Sequence, residues 1–335
     1  MKSSTHLDAP GHSLTDALMT ADPLAADDAA AVAGDVAGGR QPRVPVPLWR
    51  RLARNLSVVI GGLLILAIAL IGVAAPMITS DDPTAINPAG RNKAPGEEIS
   101  FRNDDGQRVK KTVLMGTDGL GRDIFARVVY GARVSLIVGI LVSVVSVAVG
   151  LFIGLVSGYY RWLDSIVMRI MDGLMAIPSI LLAIALVSLS GASLAAVVVA
   201  IAIPEIPRVV RLVRSIVLSI REEPYVEAAV SVGTPTPKIL YRHVLPNTIA
   251  PLIVQATYIC ASAILLEAIL SFLGVGIPPE TPTWGNIMAE GRGVFQLLPH
   301  NILIPGVFLT ITVLAVNMLG DGLRDTLDPR MSKKV

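Results

Sequence analysis

An all-α membrane protein with six transmembrane helices is the fold this sequence predicts, and three observations carry that prediction. Of 335 residues, 53% are hydrophobic and only 16% charged, with a mean hydropathy of +0.64. That is too apolar for a soluble chain of this length. The uncharged runs are also of spanning length: 21 residues at 56–76, 27 at 134–160 and 20 at 301–320. About 20 helical residues, rising 1.5 Å each, cross the roughly 30 Å hydrocarbon layer. Finally, Arg and Lys gather between alternate runs, as they do on the inner side of a membrane.

Residues 1–47 are rich in Ala, Asp, Gly and Pro with few aromatics, the composition of a disordered tail. They lack an early apolar core, so they do not read as a secretory signal. The first span is placed within 48–78 and a long extracytoplasmic segment at 79–133. The core of the remaining five helices occupies 134–330, and 331–335 form a short cytoplasmic end. Residues 173–204 are uncharged over 32 positions, too long for one span. A break at Ser188-Leu189-Ser190-Gly191 divides them into a third and a fourth helix. The fifth runs from Thr248 past Glu267 to about Gly276, and the sixth covers 301–320.

Loop charge sets the orientation. With the N-terminus inside, the inner segments hold Arg40, Arg43, Arg50, Arg51 and Arg54, then Arg161 and Arg169, then Arg208, Arg211, Arg214, Arg221, Lys238 and Arg242. Arg324, Arg330, Lys333 and Lys334 follow the sixth helix. The outer loops after the third and fifth helices hold only Arg292. Both termini are expected to be cytoplasmic. The net charge of +2 is small and its basic residues sit at the inner face, which suits lipid headgroups and topology rather than nucleic acid. The single cysteine, Cys260, excludes a disulfide within the chain, and no metal cluster is expected.

One polar segment, 222–246, interrupts the apolar pattern on the inner side. Arg221-Glu222-Glu223-Pro224 ends the fourth helix, because three charges leave the membrane and Pro224 prevents simple continuation. Tyr225 to Val232 then reads as a short helix whose Ala228 and Ala229 permit close approach by a partner. Gly233 allows a reversal, and Leu245-Pro246 opens the fifth helix. Taken alone this is an ordinary surface helix. A second segment, Met115-Gly116-Thr117-Asp118-Gly119-Leu120-Gly121-Arg122-Asp123, reads as a glycine turn leading into a helix, its Arg and Asp residues mutually paired. It is not a phosphate loop, since the chain contains no Gly-Lys dipeptide and hence no Walker A motif.

The spacing Glu227-Ala228-Ala229, Gly233, Leu245-Pro246 resembles the "EAA" coupling loop of ABC importer permeases. In that family the loop seats in a groove of a separate ATPase, which assigns an ATPase-coupling role to Glu223, Tyr225, Glu227, Ala228, Ala229, Gly233, Leu245 and Pro246. Three further strings resemble signatures of the dipeptide/oligopeptide/nickel branch. They are the segment carrying Gly116, Thr117, Asp118, Gly121, Arg122 and Asp123; Phe272-Leu273-Gly274-Val275-Gly276 with Pro278-Pro279 and Pro282-Thr283-Trp284-Gly285; and Gly320-Asp321-Gly322-Leu323-Arg324-Asp325-Thr326-Leu327-Asp328-Pro329-Arg330. The matches run from about residue 50 to 330 and look like the C-type subunit. Arg242-His243 replaces the Ile found at the second position in many such permeases and is common in the peptide branch. The departures are Ile203-Pro204-Glu205-Ile206-Pro207, where many relatives have a Trp, and residues 79–114, which carry no recognisable motif.

This resemblance implies a type I ABC importer permease fold and uptake of di- or oligopeptides. It implies a homologous B-type permease, one or two cytoplasmic ATPases and an extracytoplasmic peptide-binding protein as partners. It implies no chemistry and no cofactor on this chain, ATP and Mg²⁺ belonging to the ATPases. Nickel or another small solute is the alternative substrate. A secondary transporter is the alternative of another class, and the sequence offers it only Glu205 and Glu267 as intramembrane ionisable groups. An unpaired charge at membrane depth costs at least about 2.5 kcal/mol, so Glu267 either lines the path or is held by a hydroxyl of the fifth or sixth helix or by an Arg of a partner. The second reading is preferred, because similar permeases carry Glu at this position whatever they transport.

Overall fold

The computed structural model describes residues 48–102 and 108–327. The expected tail at 1–47 and the end at 331–335 lie outside the described residues. A short helix α1 (Leu48–Arg54) meets α2 (Leu56–Val73) at Asn55, whose side chain accepts from Ser57 and Val58 N–H and so caps α2. After α3 (Ala75–Ile78) the chain forms an antiparallel hairpin of β1 (Glu98–Arg102) and β2 (Arg108–Thr112), with Ile99 opposite Lys111. The long helix α4 (Ile124–Tyr159) follows, so the last ten residues of the 79–133 segment are already helical.

Next come α5 (Arg161–Ala176), α6 (Ser179–Ser190) and α7 (Leu194–Arg221), then α8 (Pro224–Ser231). A turn α9 (Thr236–Ile239) continues through Leu240–Val244 into α10 (Leu245–Phe272). Helices α11 (Trp284–Gly291) and α12 (His300–Leu327) complete the described chain. The six expected spans correspond to α2, α4, the α5–α6 pair, α7, α10 and α12. Four of these, α2, α4, α12 and the continuous Thr236–Phe272, are long and apolar enough to cross a membrane. The α5–α6 pair qualifies only jointly, across a 90° bend. Helix α7 is long enough at 28 residues but carries Glu205, Arg208 and Arg211 in its middle.

The third span therefore differs from a straight helix starting near Gly173. Residues 173–176 finish α5, and the chain turns at Ile177 (φ −88°, ψ 129°). Pro178 causes this, since its ring pushes the preceding residue out of the helical region and it supplies no N–H. The break before α7 falls at Gly191, with φ +83°, a conformation that only glycine adopts without strain.

The centre of the bundle is the crossing of α4 and α7. Gly150, Gly154 and Gly158 lie on one stripe of α4, and a Cβ at each would come within 2.5, 2.7 and 2.8 Å of Val209, Val213 and Val217. All three valines are fully buried. Small residues at four-residue spacing thus let two backbones approach inside this subunit, the packing that serves where lipid removes the hydrophobic drive. A second core joins Ile124, Val128 and Ala132 of α4 to Ile264 and Ala268 of α10 and to Trp284 and Ile287 of α11.

Candidate functional site

Segment 222–246 emerges where α7 ends. Glu223 takes the extended N-cap conformation, and its carbonyl accepts from Val226 N–H (2.9 Å) and Glu227 N–H (3.1 Å). Pro224 occupies the first helical position, where no N–H is needed. At the other end the N–H of Thr234 bonds to Ala229 O (3.0 Å) and that of Gly233 to Val230 O (2.9 Å). This pair of bonds, with Gly233 at φ +77°, is a Schellman termination. The reversal expected at Gly233 thus uses a left-handed residue, yet a Cβ there would meet no atom within 4 Å.

Only Val226 of α8 is buried. Pro224, Tyr225, Glu227, Ala228 and Gly233 are exposed, Ala229 is half-buried, and so is Leu245, while Pro246 is exposed. The buried trio Val226, Ile239 and Val244 anchors the segment to the bundle. The Tyr225 ring stands 5.8 Å from that of His243, so this histidine packs against α8. Beside α8 opens a cleft of about 810 Å³ lined by Tyr159, Tyr160, Trp162 and Arg221 among others. The Arg221 guanidinium donates to Tyr159 O (3.0 Å), tying α7 to the end of α4.

The second signature is built differently. Gly116 and Gly121 have φ of +81° and +78°, and at Gly121 a Cβ would fall 1.9 Å from Asn87 O. Thr117 is fully buried, accepts from Lys93 N–H (2.9 Å) and donates to Gly90 O. Asp118 accepts from the N–H groups of Leu120 (2.8 Å) and Arg122 (2.9 Å), from Arg122 Nε (2.7 Å) and from Arg127 Nη1 (2.7 Å). Glu290 of α11 accepts from both guanidinium groups. Asp123 caps α4 by accepting from Phe125 N–H (2.8 Å) and pairs with Lys111 (2.6 Å), which also reaches Asp81. Burial alone would push the Asp118 carboxyl up, but Arg122, Arg127 and the two N–H groups hold it below its ordinary value. Burial likewise opposes the charge on Lys111, and Asp123 and Asp81 overcome it, so its pKa is raised.

The expected Arg–Asp pairing is present at Arg122 and Asp118, but the network is wider. Arg127 and Glu290 complete it, and Arg127 also donates to Pro279 O (3.3 Å). Asn286 donates to Ile277 O (3.0 Å) and Thr281 O (3.1 Å), and Trp284 Nε1 to Val128 O (3.1 Å). The second and third signature strings therefore form one structure. The fourth lies elsewhere: Asp321 accepts from Tyr258 OH (2.6 Å), and Gly322 O accepts from Asn55 Nδ2 (3.1 Å), with residues 328–330 outside the described chain.

The two carboxylates expected at membrane depth are not equivalent. Glu267 on α10 is fully buried, with Oε1 accepting from Ser271 Oγ (2.8 Å) and Oε2 unpartnered among the described residues. Glu205 on α7 is held by Arg208 Nη1 at 2.8 and 3.0 Å to its two oxygens. Sequence reasoning overlooked this i,i+3 partner, although the spacing was readable.

Residues 124–333 match the family described as binding-protein-dependent transport system inner membrane component. The chain belongs to that family. Residues 48–95 match the N-terminal TM domain of oligopeptide transport permease C, which makes this a C-type permease of the type I importer fold. It is 50% identical over 294 residues to a "Probable peptide ABC transporter permease protein" of Sinorhizobium fredii, covering 88% of this chain and 96% of that one. It is 43% identical over 284 residues to a dipeptide transport system permease protein of Alkalihalophilus pseudofirmus, covering 84% and 89%. A dipeptide transport system permease protein of Haemophilus influenzae is 38% identical over 294 residues, covering 87% and 97%. The permease is thus a multi-pass membrane component of an ABC importer and not an enzyme. It works with ATPase and partner permease subunits.

Proposed function

We propose that this permease forms, with a homologous B-type permease, the path through which an ATP-driven importer takes up di- and oligopeptides. The observation that carries the coupling part is α8 itself. It is a short helix held by one buried residue, ended by a Schellman turn, and otherwise presented to solvent between the two spans that flank it. Tyr225, Glu227, Ala228 and Ala229 form the surface that one or two cytoplasmic ATPases would grip. Glu223, Gly233, Leu245 and Pro246 fix its two ends. Closure of the ATPases would move α8 as a rigid lever, and the directly joined α7 and α10 would tilt with it.

Peptide is favoured over nickel or another solute by the names of the relatives and by Arg242-His243. An extracytoplasmic peptide-binding protein would deliver the substrate to the outer face. ATP and Mg²⁺ would bind the ATPases. Loop charge outside α7, at Arg50, Arg51, Arg54, Arg161, Arg169, Lys238 and Arg242, supports cytoplasmic termini at both ends. Purification of the tagged permease should recover an ATPase, and proteoliposomes of the complex should take up a radiolabelled dipeptide only with ATP and the binding protein. Uptake of nickel and not dipeptide would replace the substrate assignment. A reporter fused after Val335 should be cytoplasmic, and labelling of Glu97→Cys only after lysis would reverse the orientation.

A further inference from the structure

Helix α7 places charge where a membrane helix can least hide it. Arg208 is the fifteenth of 28 residues, about 20 Å from either end of the helix. Its side chain is nevertheless 50% exposed, and that of Arg211, one turn on, is 44% exposed. The opposite face of α7 is closed, with Val209, Val213 and Val217 packed on the α4 glycines. The open face carries three pairs in a row: Arg208 with Glu205, Arg211 with Asp172 of α5 (2.5 Å), and Arg214 with Asp164 of α5. Guanidinium groups at this depth do not face hydrocarbon; they face protein or water.

We propose that this strip is a wall of the aqueous path and makes direct contact with the charged termini of the solute. The three basic and three acidic groups balance, so the strip offers no net charge to hold a partner protein of one sign. Both signs are instead available at short intervals. In its hydrogen bonds Arg208 uses Nη1 alone and Arg211 uses Nη2 alone, and Asp172 is 61% exposed. A peptide with free ends carries one ammonium and one carboxylate group. It would exchange with successive Arg–carboxylate pairs, each contact weak enough to be left, as conduction requires. Arg208 and Arg211 would take the C-terminal carboxylate, and Asp172 the ammonium end. Because α5 and α7 are tied by the ion pairs at Asp164 and Asp172, and both lead toward α8, movement of α8 would reshape the wall directly. The contact with peptide termini rests on the peptide reading above.

Two measurements on the reconstituted complex, in a Cys260→Ala background, test it. Arg208→Cys should react with a membrane-impermeant charged methanethiosulfonate, and saturating dipeptide should slow that reaction. Val199→Cys, exposed near the start of α7 away from the ion pairs, should stay unreactive. An unreactive Arg208→Cys in a complex that still copurifies with its ATPase would show the face to be covered and overturn the wall. Arg211→Gln should lower uptake of a free dipeptide by about tenfold, the loss of one charged hydrogen bond. It should leave uptake of the same dipeptide amidated at its C-terminus unchanged. Equal loss for both peptides would overturn the carboxylate contact. If the wild-type complex takes up neither peptide, the substrate reading and the terminal contact fail together, and the labelling still decides whether the strip faces water.

Discussion

The Gly116–Asp123 signature and the 222–246 segment both depend on left-handed glycines, yet they are finished to different degrees. At Gly121 a side chain would collide with Asn87, and at Gly116 with Lys93 O and His300. At Gly233 nothing stands within 4 Å. Asp118, Arg122 and Arg127 are buried and paired with one another and with Glu290, whereas Tyr225, Glu227 and Val232 are exposed. The outer block is a closed structure that braces the start of α4 against α11. The 222–246 segment, on the function proposed above, would be half of an interface. Burial separates a motif that packs from one that is left free to bind.

The largest effect on stability is expected where the closed block is opened. Arg127→Met keeps length and apolar contact but strips Asp118 and Glu290 of a shared cation. Removal of one partner from a buried ion network costs about 3–5 kcal/mol. Thermal unfolding of the purified permease should shift down accordingly, and a midpoint equal to wild type would show that the network contributes nothing. The same block has a defined pH response. Asp118 has a depressed pKa, so its contribution is fully present above 3.8, its ordinary value, and is lost as pH falls through the lower folded value. Stability of the wild type should therefore be insensitive to this group at neutral pH. Asp118→Asn should remove part of the loss of stability seen below pH 3.8.

How much of this was legible in sequence varied with the range of the interaction. The apolar runs, the Pro224 and Gly233 punctuation and the Asp118–Arg122 pair are local, and each reads from spacing alone. The 90° bend at Ile177-Pro178 was also local, but it lies inside an uncharged run, where hydropathy overrode the proline. The hairpin of β1 and β2 was missed in a stretch without a family motif, although Asp104-Asp105-Gly106 stands between two alternating segments. Glu290 was not legible. It lies 163 residues from Arg127, and only the topology that brings α11 against α4 creates the pair. The same holds for Asp164 and Asp172, whose partners on α7 are set by how α5 folds back along it.

Glu267 is intermediate, and it tests whether a buried carboxylate belongs with the closed block or with function. Its Oε1 is engaged by Ser271 and its Oε2 is not. Glu267→Gln keeps an acceptor for Ser271 and removes any charge. Glu267→Leu leaves the serine hydroxyl unpaired, at about 1–3 kcal/mol. A packing role predicts near-normal uptake for Gln and poor recovery of the assembled complex for Leu. A Gln variant that assembles but no longer transports would move Glu267 into the path.

The smallest effect on stability, and the sharpest on function, is expected at Gly233. Open space around it means that a side chain there is penalised by its φ of +77° and not by a clash. For most residues that backbone costs roughly 1–2 kcal/mol, and asparagine tolerates it better than others. Gly233→Asn and Gly233→Asp are nearly the same size and differ mainly in charge. If the segment is a docking surface, Asn should retain ATPase binding and most uptake. Asp should insert and fold equally well, yet lose uptake and bind the ATPase weakly, because its charge must be desolvated against the partner. Equal behaviour of the two in a pull-down with the ATPase would separate Gly233 from that surface. The exposed helix would then be what the outer block is, a structural connection complete within its own chain.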